Sequence, residues 1–185
     1  MKKNSLLTTS LLLGVISAVL AVAVFMVNST TANIIAESEA TKLNSYYESI
    51  FPDSEYEVIY DKQKDNEKSL NIQSVATATK DGNVLGYLYL AYTTGYSSDV
   101  VSLIGINAAD SKLVNVIVTK QTETPGLGTL ATAPKFLDQF SDKSTDEELK
   151  AKDNITAITG ATITSTAVVN SVNEAFADFN TNYKK

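Results

Sequence analysis

Residues 70–119 read LNIQSVATATKDGNVLGYLYLAYTTGYSSDVVSLIGINAADSKLVNVIVT, and the fold turns on this stretch. Four runs within it, 70–79, 84–93, 100–107 and 112–119, are rich in Val, Ile, Leu and Tyr and are separated by turn residues, the pattern of β-strands. A fifth such run, 55–60, precedes them. Lys80-Asp81-Gly82-Asn83 and Ala108-Ala109-Asp110-Ser111 are short enough to join antiparallel neighbours as hairpins. The expected centre is an antiparallel sheet.

Toward the C-terminus, Glu123-Thr124-Pro125-Gly126-Leu127-Gly128 follows the last strand. A type II turn is expected at 124–127, with Pro fixing φ at its second position and Gly supplying positive φ at its third. A short helix near Pro134 presents Phe136, Leu137 and Phe140, and Thr145-Asp146-Glu147-Glu148 reads as a capping box for another helical turn. The last helix begins around 162–166 and runs to about 180, with Val168, Val172, Phe176 and Phe179 on one stripe. The class is α+β, with helices flanking the sheet.

Toward the N-terminus, Ile35, Leu43, Tyr46, Tyr47 and Ile50 recur at near-helical spacing, and Phe51-Pro52 closes that segment. Residues 6–27 carry no charge and are overwhelmingly apolar or small, long enough to span a bilayer as a helix. Lys2 and Lys3 precede this segment and the polar run Asn28-Ser29-Thr30-Thr31 follows it, which places the N-terminus in the cytoplasm. The competing reading is a cleaved signal peptide with Thr30-Thr31-Ala32 as its site, although the span exceeds the usual ~7–15 residue signal core. The expected division is a cytoplasmic tail at 1–5, a single transmembrane helix at 6–27 and one extracytoplasmic domain at 28–185, anchored in the cell membrane.

Composition removes several chemistries. The chain has no Cys, no His and no Trp, and all 15 of its basic residues are Lys. Without Cys or His there is no zinc site of the Cys/His kind, no protein-ligated iron–sulfur cluster and no Ser-His-Asp or Cys-His nucleophile. Redox work would belong to an organic cofactor, and no metal site is expected. Beyond the apolar segment 13 Lys face all 21 acidic residues, a net charge of −8, which disfavours nucleic acid as a partner.

The string Thr159-Gly160-Ala161-Thr162-Ile163-Thr164-Ser165 stands where the chain turns into the final helix. Exposed amides and a reachable hydroxyl at such a turn could receive a phosphate. Hydroxyl residues at a helix start are far more often caps that satisfy the orphan amides, so local chemistry alone leaves both readings open.

The same string resembles the Ser/Thr-Gly-Ala-Thr flavinylation motif of the FMN-binding domain family. That family includes the G subunit of the Rnf electron-transport complex and the C subunit of the sodium-translocating NADH:quinone reductase. The resemblance implies FMN joined through a phosphoester to Thr162, with Thr159, Gly160, Ala161, Thr164 and Ser165 shaping the turn around the phosphate. Residues 123–128 resemble the Glu-Thr-Pro-Gly-Leu-Gly loop of the Rnf protein, which implies flavin contacts from Glu123, Thr124, Gly126 and Leu127. Gly86-Tyr87, Ile104-Gly105-Ile106 and the 168–176 helix extend the likeness over essentially the whole chain, whose short length resembles the Rnf protein more.

The family motif usually has an acidic residue three places before its Ser/Thr. Here Thr156 stands in that place, and Asp153 lies three residues earlier still.

The function implied is that of a membrane-anchored, covalent-FMN electron carrier. It would be a redox subunit of an ion-translocating ferredoxin:NAD oxidoreductase rather than a stand-alone catalyst. Its partners would be the lipid bilayer, the complex's other membrane subunits and a separate flavin transferase for maturation. Two alternatives remain: an independent extracytoplasmic FMN carrier, and a cofactor-free anchored binding domain in which Thr162 is only a helix cap. Tyr87, Tyr89, Tyr92 and Tyr96 read as sheet surface and core edge, with no role in the site.

Overall fold

Between Lys80 and Asn83 the chain reverses on Asp81 and Gly82, both at positive φ (52° and 79°). This is the backbone of a type I′ turn, whose twist matches that of the strands it joins. The computed structural model describes residues 3–62 and 71–184. Helix α1 (Lys3–Ile50) leads to strands β1 (Glu55–Asp61), β2 (Ile72–Lys80), β3 (Asn83–Thr94), β4 (Asp99–Asn107) and β5 (Leu113–Lys120). A 3-10 turn (Gly128–Thr132), the short helix α2 (Pro134–Leu137), a second 3-10 turn (Asp138–Phe140) and helix α3 (Thr162–Asn182) complete the order. The strands form one antiparallel meander, β1-β2-β3-β4-β5. All five expected strands are present within two residues of their expected ends. Leu70, the first residue of one expected strand, and Lys2 lie outside the described residues.

The pleat divides the sheet's side chains between two layers. On one face Tyr89, Ala91, Ile104 and Ile106 are buried in a core with Val168, Val172, Phe176 and Phe179 of α3. This is the stripe the sequence marks. On the other face Leu88 and Leu103 are fully buried. Gly86 and Gly105 share that face, and the last turn of α1 lies directly over them. A Cβ on Gly105 would stand 2.4 Å from Ile50 Cγ2, and one on Gly86 would stand 2.2 Å from Phe51 Cζ. Only a residue without Cβ allows this approach.

The chain divides into two compact units, residues 1–44 and 45–185. Helix α1 continues unbroken through 28–31, where the sequence suggests a boundary. Asn, Ser and Thr cost a helix only tenths of a kcal/mol each, and Thr30 and Thr41 return their hydroxyls to the carbonyls of Met26 (3.0 Å) and Glu37 (2.8 Å). Residues such as Leu11, Val19 and Phe25 are exposed, and the helix is long and apolar enough to cross a membrane.

The expected helix after Thr145 is absent, and the segment is turn and irregular backbone. The Thr145 hydroxyl donates to Asn180 Oδ1 (2.8 Å), and Asn180 Nδ2 donates back to the Thr145 carbonyl (2.8 Å). About two turns earlier on the same face of the helix, Asn173 accepts from the Leu149 amide (3.0 Å) and donates to its carbonyl (2.8 Å). Two side-chain amides of α3 therefore hold this segment, and the Thr145 hydroxyl has no role as a cap.

Candidate functional site

The turn at 124–127 forms as the sequence demands. The Leu127 amide donates to the Thr124 carbonyl (3.1 Å), and Gly126 sits at φ 75°, the type II arrangement. The Gly126 amide also donates to the Thr129 hydroxyl (3.0 Å), which ties the turn to the 3-10 segment after it.

The start of α3 is built differently from the capping expectation. Its N-cap position is Ala161, and no side chain of a described residue caps it. The nearby hydroxyls are committed elsewhere. Ser165 donates to the Ala161 carbonyl (2.9 Å) and accepts from the Ile158 amide (2.9 Å), so it braces the turn from within. Thr166 donates to the Thr162 carbonyl (2.9 Å). Intrahelical bonding begins with the Ser165 amide on the Ala161 carbonyl (3.0 Å), which leaves the amides of Thr162, Ile163 and Thr164 with no acceptor inside the helix.

These two loops pack against each other. Gly160 adopts φ 77°, and a Cβ there would lie 3.0 Å from Leu127 Cδ2. A Cβ on Gly128 would meet Glu123 Oε2 at 2.7 Å and Thr164 Oγ1 at 2.9 Å. The two motifs read separately in the sequence thus form one structure.

Glu123 joins them, and it is only 5% exposed. Its Oε2 accepts from the Thr164 hydroxyl at 2.7 Å, beneath the start of α3. Its Oε1 accepts from the amides of Ser97 (3.0 Å) and Ser98 (3.4 Å) in the β3–β4 loop. Burial is the largest single influence on its pKa and pushes it up. The hydrogen bonds from Thr164 and from the amides of Ser97, Ser98 and Tyr96 together outweigh burial and hold the carboxyl below its ordinary value.

Above this brace lies an open cleft of ≈ 520 Å³, lined by Tyr96, Glu123, Thr124, Leu127, Gly128, Gly160, Ala161, Thr162, Ile163 and Thr164. That is within the size range of small-molecule and cofactor sites. Its rim is apolar and open to solvent, with Tyr96 70% exposed, Ile163 54% and Leu127 42%. Thr162 also borders a second depression of ≈ 320 Å³ with Lys152, Asp153 and Thr156–Thr159. Among the described residues lining the two depressions, Lys152 is the only cation.

Of the residues singled out in the sequence, the cleft gathers Glu123, Thr124, Leu127, Gly160, Ala161, Thr162 and Thr164. Gly126 sets the turn and stands apart from the lining, Thr159 borders the second depression, and Ser165 is buried behind the turn. Gly128 and Ile163 line the cleft without having been singled out, and so does Tyr96, which the sequence reads as sheet surface and core edge apart from the site. Tyr96 lies in the loop between β3 and β4, while Tyr87, Tyr89 and Tyr92 lie on β3 itself. Its position beside Gly95, outside the alternation of the strand, was the available signal.

Residues 95–177 match the FMN-binding domain model, and this interval holds both motifs and the cleft. The G subunit of the Na(+)-translocating ferredoxin:NAD(+) oxidoreductase complex of Acetobacterium woodii is 34% identical over 180 residues, covering 88% of this chain and 86% of that protein. The G subunit of the ion-translocating oxidoreductase complex of Methanosarcina acetivorans is 30% identical over 164 residues, covering 87% of each. Among solved structures, the C subunit of the Na(+)-translocating NADH-quinone reductase of Parabacteroides distasonis is similar at TM-score 0.46 and 22% identity, covering 58% of this chain and 60% of that one. Likeness sustained along nearly the full length of these G subunits, with an FMN-binding domain enclosing the cleft, shows that the chain belongs to the G-subunit family of ion-translocating oxidoreductase complexes.

Proposed function

We propose that Thr162 carries FMN through a phosphoester and that the protein passes electrons as a subunit of an ion-translocating ferredoxin:NAD oxidoreductase complex. The observation that carries this reading is the start of α3. A reachable hydroxyl stands there beside three amides that no side chain caps, at the mouth of a cleft with an apolar rim. FMN supplies the redox chemistry, which the side chains of this chain do not.

The residues present suit the group. A monoanionic phosphoester at Thr162 would be stabilised by the amides of Thr162, Ile163 and Thr164 and the helix dipole, by on the order of ~1 kcal/mol. Lys152 is the cation at hand, and no Arg is available for bidentate binding. A covalent tether would hold the cofactor at high effective concentration without tight binding. Glu123 and Thr164 keep the two walls of the cleft together from beneath, and Leu127 and Ile163 present apolar surface to a flat ring.

Attachment would be made by a separate transferase using FAD. The Thr162 oxygen bonds to the FMN-side phosphorus, the diphosphate bond breaks, AMP leaves and the hydroxyl proton passes to a base on the transferase. The long apolar helix would anchor the protein, with Lys2 and Lys3 on the cytoplasmic side and the domain outside. The chain has no Cys of its own, so single cysteines introduced at exposed Asp153 or Lys184 and labelled in intact cells would report the side directly. Protection from an impermeant reagent would overturn the orientation.

The test of attachment is the intact mass of the full-length protein made beside an active flavin transferase, together with Thr162→Ala. A mass increase of one FMN in the wild type alone establishes the phosphoester. A folded wild type without the added mass removes it. Co-purification with multi-span membrane subunits separates membership of the complex from an independent FMN carrier.

A further inference from the structure

We propose that Tyr96 is the stacking wall for the isoalloxazine ring and tunes its redox potential, an inference that rests on FMN being held at Thr162. Tyr96 is 70% exposed, yet the backbone that carries it is fixed. The Gly95 amide donates to the Ser98 carbonyl (2.8 Å), and the amides of Ser97 and Ser98 donate to buried Glu123. The Thr122 hydroxyl donates to the Ser98 hydroxyl at 2.6 Å. Gly95 is buried, and a Cβ there would come within 2.6 Å of Glu123 Oε1 and 2.9 Å of the Ser98 carbonyl. A loop braced by these bonds thus holds a large aromatic side chain in solvent.

Such a side chain, left outside the core on a braced loop, is placed to meet a ligand. The cleft it lines is the one that holds Thr162. Tyr96 is the only aromatic residue among those lining the cleft, and Leu127 and Ile163 supply the remaining exposed apolar surface. Isoalloxazine is flat and electron-poor when oxidised, so an electron-rich phenol face is its natural partner in offset stacking. Reduction makes the ring electron-rich and weakens that contact. Tyr96 therefore stabilises the oxidised flavin over the reduced one and lowers the potential.

The same carboxylate that holds the start of α3 through Thr164 also holds the loop of Tyr96. The tether end and the ring end of the site consequently share one brace, which fixes the span between them.

The experiment uses the full-length, flavin-loaded protein with Tyr96→Leu and Tyr96→Phe, each first weighed intact so that fluorescence is expressed per bound flavin. Contact with Tyr quenches flavin emission. Tyr96→Leu is expected to raise the yield severalfold and to shift the midpoint potential upward, whereas Tyr96→Phe, less electron-rich, moves the potential part of the way. A loaded Tyr96→Leu with wild-type fluorescence and potential overturns the stacking role while leaving attachment standing. Loss of loading in Tyr96→Leu alone also overturns it, in favour of a contact with the transferase. A wild type that bears no FMN by mass removes the attachment reading and this one with it.

Discussion

Glu123→Ala should destabilise the domain by about 3–5 kcal/mol, for reasons that lie in three distances. The Thr164 hydroxyl at 2.7 Å and the Ser97 amide at 3.0 Å make bonds of normal length to the carboxylate, while the Ser98 amide at 3.4 Å is at the edge of bonding. Charge-assisted bonds contribute ~1.5–3 kcal/mol each, so the two good ones dominate. Ala leaves Thr164, itself 1% exposed, and the loop amides without an acceptor. Relief from burying a charge offsets part of the loss. Glu123→Gln keeps one oxygen for the loop amides, and the Thr164 hydroxyl can rotate to accept from the new amide, so about 1–2 kcal/mol is expected.

The pH dependence has a definite sign. Because the folded pKa lies below the ordinary glutamate value of 4.5, the carboxylate's contribution is fully present above that value and is lost as pH falls through the folded pKa. The gap between wild type and Glu123→Gln should narrow below pH 4.5. Urea unfolding of the full-length protein in detergent, followed by tyrosine fluorescence, measures this, since the sequence holds nine Tyr and no Trp. A cost below about 1 kcal/mol for Ala, or equal costs for Ala and Gln, would refute the bracing role.

Other expectations follow from the packing. Gly160→Ala meets both a left-handed backbone (φ 77°) and the Leu127 methyl at 3.0 Å; it should cost about 1–2 kcal/mol and slow FMN loading, and an unchanged midpoint in urea would count against it. Gly105→Ala drives a methyl into Ile50 at 2.4 Å, with an expected loss of about 1–3 kcal/mol in the same assay. Phe179→Ala empties a position that is 1% exposed on the core-facing side of α3 and should cost about 3–5 kcal/mol in the same urea assay. Thr156→Asp restores the acidic residue of the family motif at a position whose backbone is held by Gln139 (2.8 and 3.3 Å). It should speed flavin loading in a mass time course without altering stability, and an unchanged rate would show the residue dispensable here.

The sheet was legible because strand and turn chemistry agreed at every step. Asp81-Gly82 and the alternation on either side of it leave little freedom for another pairing. The type II turn at 124–127 was equally local, since Pro and Gly dictate it. What escaped the sequence were contacts made at a distance. Thr145 resembles a cap until Asn180, 35 residues on, takes its hydroxyl. The hydroxyls at the start of α3 resemble caps until Ser165 and Thr166 turn back to helix carbonyls and Thr164 finds Glu123. Glu123 reads as a flavin contact by resemblance and does line the cleft, but its hydrogen bonds to Thr164 and to the Ser97 amide, which hold both walls, are not legible in the sequence. Tyr96 was hidden by its neighbours on β3, whose alternation invited one reading for all four tyrosines.

The Thr162 hydroxyl stands at the head of the final helix, and its surroundings are assembled from parts far upstream: Leu127 against Gly160, and Glu123 beneath Thr164. None of that setting exists until the last stretch of the chain has been synthesised and α3 has docked on the sheet. A nascent or misfolded chain offers Thr162 only as one hydroxyl among many. On the function proposed above, acquisition of flavin then serves as a checkpoint in biogenesis, with yellow colour marking the chains that have finished folding before they join an assembly.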